Sequence, residues 1–443
     1  MPESAAAGAG LQSKEVQRRH VLVKAITVGL VTGLCAGSFR LALAAAERSR
    51  LGAVSEPGWR GLAWALAIGA GGGALALWLV RALAPETAGS GIPHLKSVLL
   101  GDEKLFWRRL LPVKFFSGLI GIGGGFALGR EGPTIQMGGA AGLMVAGWFR
   151  VSHGEGERKA LITAGAGAGL AAAFNAPLSG MMFVLEELQI TLTPVIFVAA
   201  FLAAVSADIV SRLLAGGWPV FAIHGMAVPT FRALPGALVL GAICGLAGCG
   251  FNRSLLKSID LFGRLDRWPP ALLGAAVGGA MGLIGWLVPG MAGTGTGILQ
   301  EALAGRVAVG SMLLVLLGRF GMTMASYGCG TAGGIFIPLF VLGSLGGLSL
   351  GVAGHALLPG LFPHPEIFAI IGMGALFTGI VRAPLTALVL MIELTGVYDF
   401  MLPLLVACFA AYGVAEALGD TPVYEALRLR AAARREAAPA LAK

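Results

Sequence analysis

Charge is scarce in this sequence. Charged residues fill 12% of its 443 positions, against about 25% in soluble domains. That excludes an ordinary water-soluble globular domain, and the 56% hydrophobic content reads as an integral membrane protein. Cysteine is also sparse. Cys35, Cys244, Cys249, Cys329 and Cys408 are scattered through apolar segments, with no CxxC pair and no metal spacing to the six histidines. A disulfide framework and a zinc module are thereby excluded, and the cysteines read as small packing residues. The pattern HExxH is missing as well. No nucleophile–base pair or metal constellation stands out, so neither an enzyme nor a cofactor is expected.

The net charge of +9 does not point to nucleic acid, because the basic residues flank apolar segments. Lys14, Arg18, Arg19, His20 and Lys24 precede the first segment, and Arg428, Arg430, Arg434 and Arg435 follow the last. Counted as flanking positive charge, they predict both termini on the cytoplasmic side of the membrane. The basic start leads into an apolar span without a convincing cleavage site, so no signal peptide is expected.

Glycine, by contrast, is plentiful at 70 residues, as suits helices that pack closely in lipid or break where they line a cavity. The pattern predicts an N-terminal cytoplasmic tail over 1–20, a first membrane repeat over 21–217, a second over 218–420, and a C-terminal cytoplasmic helix and tail over 421–443. Within the first repeat, apolar segments run at about 21–46, 60–84, 133–150, 160–174, 178–189 and 194–214. A break is expected at His153–Glu157, and a basic loop from Asn252 to Arg267 in the second repeat. Many segments fall short of the ~20 residues that cross a bilayer upright, which points to tilted and interrupted helices. About 20 residues follow Tyr424, so no appended cytosolic domain is expected.

Three blocks recur in one order at nearly one spacing. Gly129 and Pro133 return 205 positions later as Gly334 and Pro338. Asn175–Glu186 (NAPLSGMMFVLE) returns 207 positions later as Arg382–Glu393 (RAPLTALVLMIE), and Ala88–Gly91 returns after 204 as Ala292–Gly295. Two structural repeats of this kind are the usual plan of secondary transporters, with the site where the repeats meet.

The stretch Gly129-Arg130-Glu131-Gly132-Pro133 lies in the middle of the apolar mass. A carboxylate and a guanidinium there cost roughly 2.5–3.5 kcal/mol each, which a structural ion pair or a function must answer. Pro133 is expected at the first helical position, where its missing N–H is harmless. Glycines let the backbone turn tightly before it. Such a helix start offers free N–H groups and a positive dipole end, an anion site on which Glu131 is a tethered anion. In the second copy Arg130-Glu131-Gly132 becomes Ile335-Phe336-Ile337, so that loop brings only backbone N–H donors. One helix end returns at most about 2 kcal/mol, far less than a dry anion costs. Several helix starts must therefore converge, and Ser90, in a third glycine loop, adds a hydroxyl. Glu186 recurs as Glu393, as a helix end or polar contact would, whereas Glu187 has only Leu394 opposite it. A half-specific task such as a proton entry point falls to Glu187. Ser90 also reads as a helix cap, Tyr424 as an interfacial anchor, Lys114 as a buried cation in need of a partner, and His94 as a solvated residue.

Gly89-Ser90-Gly91-Ile92-Pro93, Gly129–Pro133 and Gly334–Pro338 together resemble the CLC family of chloride channels and proton-coupled chloride transporters, in its bacterial branch without cytosolic regulatory domains. The resemblance runs from about residue 20 to about 430. It implies an all-α integral membrane protein of two inverted-topology repeats, forming a homodimer with one pore per subunit in the bacterial inner membrane. It implies a chloride site with hydroxyls from Ser90 and Tyr424 and backbone donors from Ile335 and Phe336, flanked by Arg130 and Gly132. Glu131 resembles the external gating glutamate and Glu187 the internal proton-transfer glutamate. Channel members often carry an apolar residue at the Glu187 position, so the resemblance favours a chloride/proton antiporter over a passive chloride channel. Other small anions such as nitrate or bromide are further candidate substrates, and Ser90 argues against a fluoride-selective relative. One departure stands out. Lys96 occupies a position often acidic in family transporters, so Lys96 either reaches water or pairs with a carboxylate, Glu187 or Glu186.

Overall fold

The computed structural model describes residues 2–151, 155–188, 194–217, 221, 231–360, 362 and 364–441, with backbone alone for 2–20, 155, 195 and 437–441. Of the break expected at His153–Glu157, residues 153 and 154 lie outside these residues and Glu155–Glu157 open a helix; Gln189, at the end of the fifth apolar segment, also lies outside them.

The described residues form seventeen α-helices and no strand beyond two isolated bridges. The helices α1 (Pro2–Val54), α2 (Trp59–Leu83), α3 (Ile92–Leu100), α4 (Trp107–Gly123), α5 (Glu131–Trp148), α6 (Glu155–Phe174), α7 (Pro177–Phe183) and α8 (Pro194–Ala215) come first. After them come α9 (Leu234–Gly263), α10 (Pro270–Leu287), α11 (Thr296–Leu303), α12 (Val309–Gly328), α13 (Phe336–Leu357), α14 (Ile367–Val381), α15 (Pro384–Thr395), α16 (Met401–Ala417) and α17 (Val423–Leu441). Eight of the described helices are long and apolar enough to cross a membrane. Others, such as α3, α7 and α11, are short stubs that begin beside glycine or proline. Leu213, Leu314 and Leu357 are largely exposed, as lipid-facing side chains are in a protein whose solvent is hydrocarbon.

Two expectations need correction. Most of the stretch Asn252–Arg267 is no loop: α9 runs unbroken to Gly263, leaving only Arg264–Arg267 as a turn, and Asn252 is buried in the helix, bonded to Asp420 at 2.7 Å. Lys257 and Arg253 lie on this helix's polar end rather than on a turn. At the other end, α1 begins at Pro2, so the backbone of the expected tail continues the helix of the first span.

Small residues set the packing. Where α5 crosses α6, a Cβ added to either Gly138 or Gly165 would overlap the carbonyl oxygen of the other. The two backbones touch, and only glycine permits it. The tightly packed centre is formed by α5, α6, α13 and α14, whose residues are mostly buried.

Candidate functional site

Three glycine loops meet in this centre. Gly129 and Gly334 exchange two N–H···O bonds of 2.7 Å. Gly89 donates to the Thr331 carbonyl at 3.2 Å and accepts from the Gly333 N–H at 3.0 Å. At their junction a Cβ on Gly132 would lie 2.8 Å from the Cα atoms of both Ser90 and Gly334, so any side chain there would force the loops apart.

Each loop runs into a helix start, those of α3, α5 and α13. Arg130 caps α5 and Ile335 caps α13, with their carbonyls accepting from Thr134 at 3.1 Å and Leu339 at 2.8 Å. Pro133 and Pro338 therefore stand at the third helical position, not the first. The first four N–H groups of a helix have no intrahelical partner, so the proline is as harmless there. The donors at Glu131, Gly132, Phe336 and Ile337 remain available.

Glu131 uses them. Its carboxylate crosses to α13 and accepts the Phe336 N–H at 2.6 Å through Oε1, while Oε2 is buried with no partner among the described residues. The bond is charge-assisted and spans two helix starts. Among the described residues Arg130 makes no ion pair with Glu131, and the guanidinium Nε is itself buried and unbonded.

Ser90 is fully buried. Its Oγ accepts the Ile92 N–H at 3.3 Å, as a cap would, and lies 3.4 Å from Tyr327 Oη, which accepts the Ser90 N–H at 3.4 Å. A hydroxyl has two acceptor sites and one proton. Either hydroxyl of the Ser90–Tyr327 pair can donate to the other; when Tyr327 donates, the proton of Ser90 is free for a third partner. Tyr424, at the start of α17, is fully buried against the Phe336 ring, with centroids 6.3 Å apart. That burial rules out the interfacial anchor. Among the described residues its hydroxyl has no partner, and buried hydroxyls are nearly always bonded, so this one is available to donate to a ligand. Tyr424 lies within electrostatic reach of Tyr327, Glu131 and Glu187.

Ser90, Arg130, Glu131, Gly132, Ile335, Phe336 and Tyr424 are thus gathered by the three loops and α17. Glu187 stands apart, in the π-helical turn Val184–Leu188 that continues α7. The wide turn sends two adjacent carboxylates to different partners. Glu187 accepts from Lys96 Nζ at 2.8 Å, and Lys96 also lies 3.6 Å from Glu425. Glu186, the other expected partner of Lys96, instead caps α15, accepting the N–H groups of Leu385 (3.0 Å) and Thr386 (2.6 Å) and the Thr386 hydroxyl. Glu393 caps α7 in return, through Leu178 (3.0 Å), Ser179 (2.7 Å) and the Ser179 hydroxyl.

Lys114 finds carbonyls rather than a carboxylate: Thr87 O at 2.8 Å and Gly89 O at 2.7 Å. Arg319, fully buried, does the same for Met291 O (2.7 Å), Gly293 O (2.8 Å) and Thr294 O (2.8 Å). Each cation staples the glycine loop of its own half. Neither Arg319 nor Tyr327 is apparent from the motifs, although Arg319 stands 205 positions after Lys114. His94 is not solvated but buried, 3.2 Å from Gln136 Nε2 and 3.5 Å from Glu103. The polar partners on α5 and in the following turn replace water.

Residues 72–416 match the pattern of the family described as voltage gated chloride channel. The chain belongs to the voltage gated chloride channel (CLC) family. This CLC chain is similar to the H(+)/Cl(-) exchange transporter ClcA of Vibrio cholerae serotype O1, 40% identical over 423 residues that cover 94% of the chain and 90% of the relative. It is similar to ClcA of Salmonella paratyphi A, 37% identical over 427 residues with the same coverage. It also resembles the crystal structure of a slow cyanobacterial Cl-/H+ antiporter, with 36% identity, a TM-score of 0.88, and coverage of 94% of this chain and 99% of that one. The all-helical CLC fold of an integral, multi-pass membrane protein accounts for the stubs and converging helix starts described above.

Proposed function

We propose that this protein exchanges chloride for protons across the membrane. The observation that carries the reading is the Glu131 carboxylate seated on the Phe336 N–H, where a mobile anion would sit, with the unbonded Tyr424 hydroxyl nearby. An anion arriving at this point competes with Glu131 for the same helix-end donors. Ionised, Glu131 holds them; protonated, it is neutral, binds them weakly and releases them. Chloride entry and proton uptake are thereby tied to one side chain.

In this reading Ser90 and Tyr424 donate hydroxyls to chloride. Ile335 and Phe336 supply backbone donors, Arg130 and Gly132 flank the anion, and Glu187 hands protons between Glu131 and the cytoplasm. Lys96, Glu187 and Glu425 then mark the cytoplasmic end of the proton path. The chain forms a homodimer with one such pore per subunit in the bacterial inner membrane, both termini cytoplasmic, and residues 21–217 and 218–420 are its two repeats. The exchange of caps by Glu186 and Glu393, and the matching staples of Lys114 and Arg319, support that division. Nitrate and bromide are further substrates to test.

The test is simultaneous recording of chloride and proton movement in liposomes holding the purified protein. A chloride gradient drives protons uphill in the exchanger. Chloride flux with no proton movement at any pH would make it a passive channel.

A further inference from the structure

Lys96 lies between two carboxylates that differ in kind. Glu187 has a side chain only 5% exposed, against 31% for Glu425 and 18% for Lys96 itself. Lys96 Nζ is 2.8 Å from Glu187 and 3.6 Å from Glu425, so a shift of the lysine tip transfers it from one to the other. Glu425 is itself gripped by Arg428, whose Nη2 and Nε lie 2.7 Å and 3.1 Å from its oxygens, and Arg428 also reaches Asp102 at 3.3 Å.

We propose that Glu425 is a positioning residue for proton loading of Glu187: it receives the Lys96 ammonium when Glu187 takes up a proton, and returns it when Glu187 gives the proton up. This rests on the assignment of Glu187 as the internal proton carrier. A half-buried ammonium left beside a neutral carboxylic acid would be uncompensated, and that penalty would oppose protonation of Glu187. With Glu425 one short step away, the cation always has a counter-charge. The step conserves atoms: one proton from cytoplasmic water joins the Glu187 carboxylate, and Lys96 changes partner without losing a proton.

The surroundings favour this division of labour. The Arg428 hydrogen bond, then Lys96, hold the pKa of Glu425 below the ordinary carboxylate value, so Glu425 stays ionised over the cytoplasmic range while Glu187 toggles. The other charged groups nearby are engaged elsewhere. Glu186 caps α15, Arg382 pairs with Asp420 before α17, and on the first turn of α6 Glu157 holds Lys24, beside Arg158 and Lys159. Glu425 also directly follows Tyr424, so one turn of α17 carries both the chloride contact and the counter-charge of the proton port.

The experiment is proton uptake into liposomes as a function of internal pH for wild type, Glu425→Gln, Lys96→Met and the double variant. Chloride binding by calorimetry serves as the check that α17 is intact. Glu425→Gln confines Lys96 to Glu187, so its profile moves to lower pH by about half a unit or more. Lys96→Met moves it to higher pH, and the double variant coincides with Lys96→Met. The comparison in the Lys96→Met background is decisive, because a direct field of Glu425 on Glu187 would persist there and a shared lysine cannot. An unshifted Glu425→Gln profile overturns the proposal, as does an equal shift with and without Lys96. Should Glu425→Gln lose chloride binding, Glu425→Asp replaces it, with a smaller shift of the same sign expected and none overturning the idea. Glu187→Gln tests the underlying reading separately: proton uptake unchanged in that variant would remove Glu187 from the path, whatever Glu425 does.

Discussion

Glu131 owes its place to a donor 205 positions away. Replacing it by Gln keeps the shape and removes the titration. Glu131→Gln is expected to pass chloride with no uphill proton movement, read by paired flux recording; retained coupling would remove Glu131 from the cycle. Tyr424 is tested at the level of one oxygen atom. A hydrogen bond to a charged acceptor contributes about 1.5–3 kcal/mol, so Tyr424→Phe should weaken chloride binding roughly ten- to a hundredfold in calorimetry while keeping the ring against Phe336. Unchanged affinity would mean that the buried hydroxyl serves something other than the anion. Ser90, Glu131 and Phe336 were legible because each sits in a short glycine loop with a chemical reason for its residue type. Tyr327 was not. It reaches Ser90 across 237 positions, and nothing local to it distinguishes a hydroxyl that serves a site from a core tyrosine. His94 misled for the related reason that its neighbours Gln136 and Glu103 come from other segments.

Among the elements, the seven residues of α7 and the π turn that follows show what pattern reading reaches and where it stops. The restart at Pro177 was visible, as was the return of Glu186 as Glu393. The wide turn that parts Glu186 from Glu187 was not, since it is set by what the two carboxylates bind rather than by local propensity. Glu393 has the geometry of a cap, two backbone N–H groups and a hydroxyl. Losing a cap typically costs about 0.5–2 kcal/mol. Glu393→Ala is therefore expected to lower the unfolding temperature in detergent by several degrees, with exchange stoichiometry preserved in whatever protein remains folded. A changed stoichiometry would mean that Glu393 belongs to the transport path. In the first repeat the boundaries of α2, α5 and α8 were read to within two residues, while α1 outruns the expected 21–46 at both ends; along α9, basic side chains on the polar end of a long helix imitate a loop.

For the whole molecule, the twofold plan was readable from three recurring blocks, and the staples formed by Lys114 and Arg319 extend it to atoms that sequence left unpaired. Tilt, convergence and burial depth were not readable, because they depend on contacts between segments some 200 positions apart. Those contacts also impose an order in time. The Glu186 carboxylate meets its partner Thr386 across 200 positions, and Leu178 waits for Glu393 across 215. At a synthesis rate of about 5–20 residues per second, the earlier partner stands uncapped for roughly 10–40 s while the rest is made. During that interval α7 is a short helix whose first N–H groups lack their acceptor, in surroundings that tolerate no such thing for long. Nascent chains arrested before Glu393 emerges should therefore leave α7 open to protease, and release of the arrest should close it. Protection of α7 before Glu393 exists would mean that the first half completes itself. The two halves are thus made in sequence but finished at the same moment.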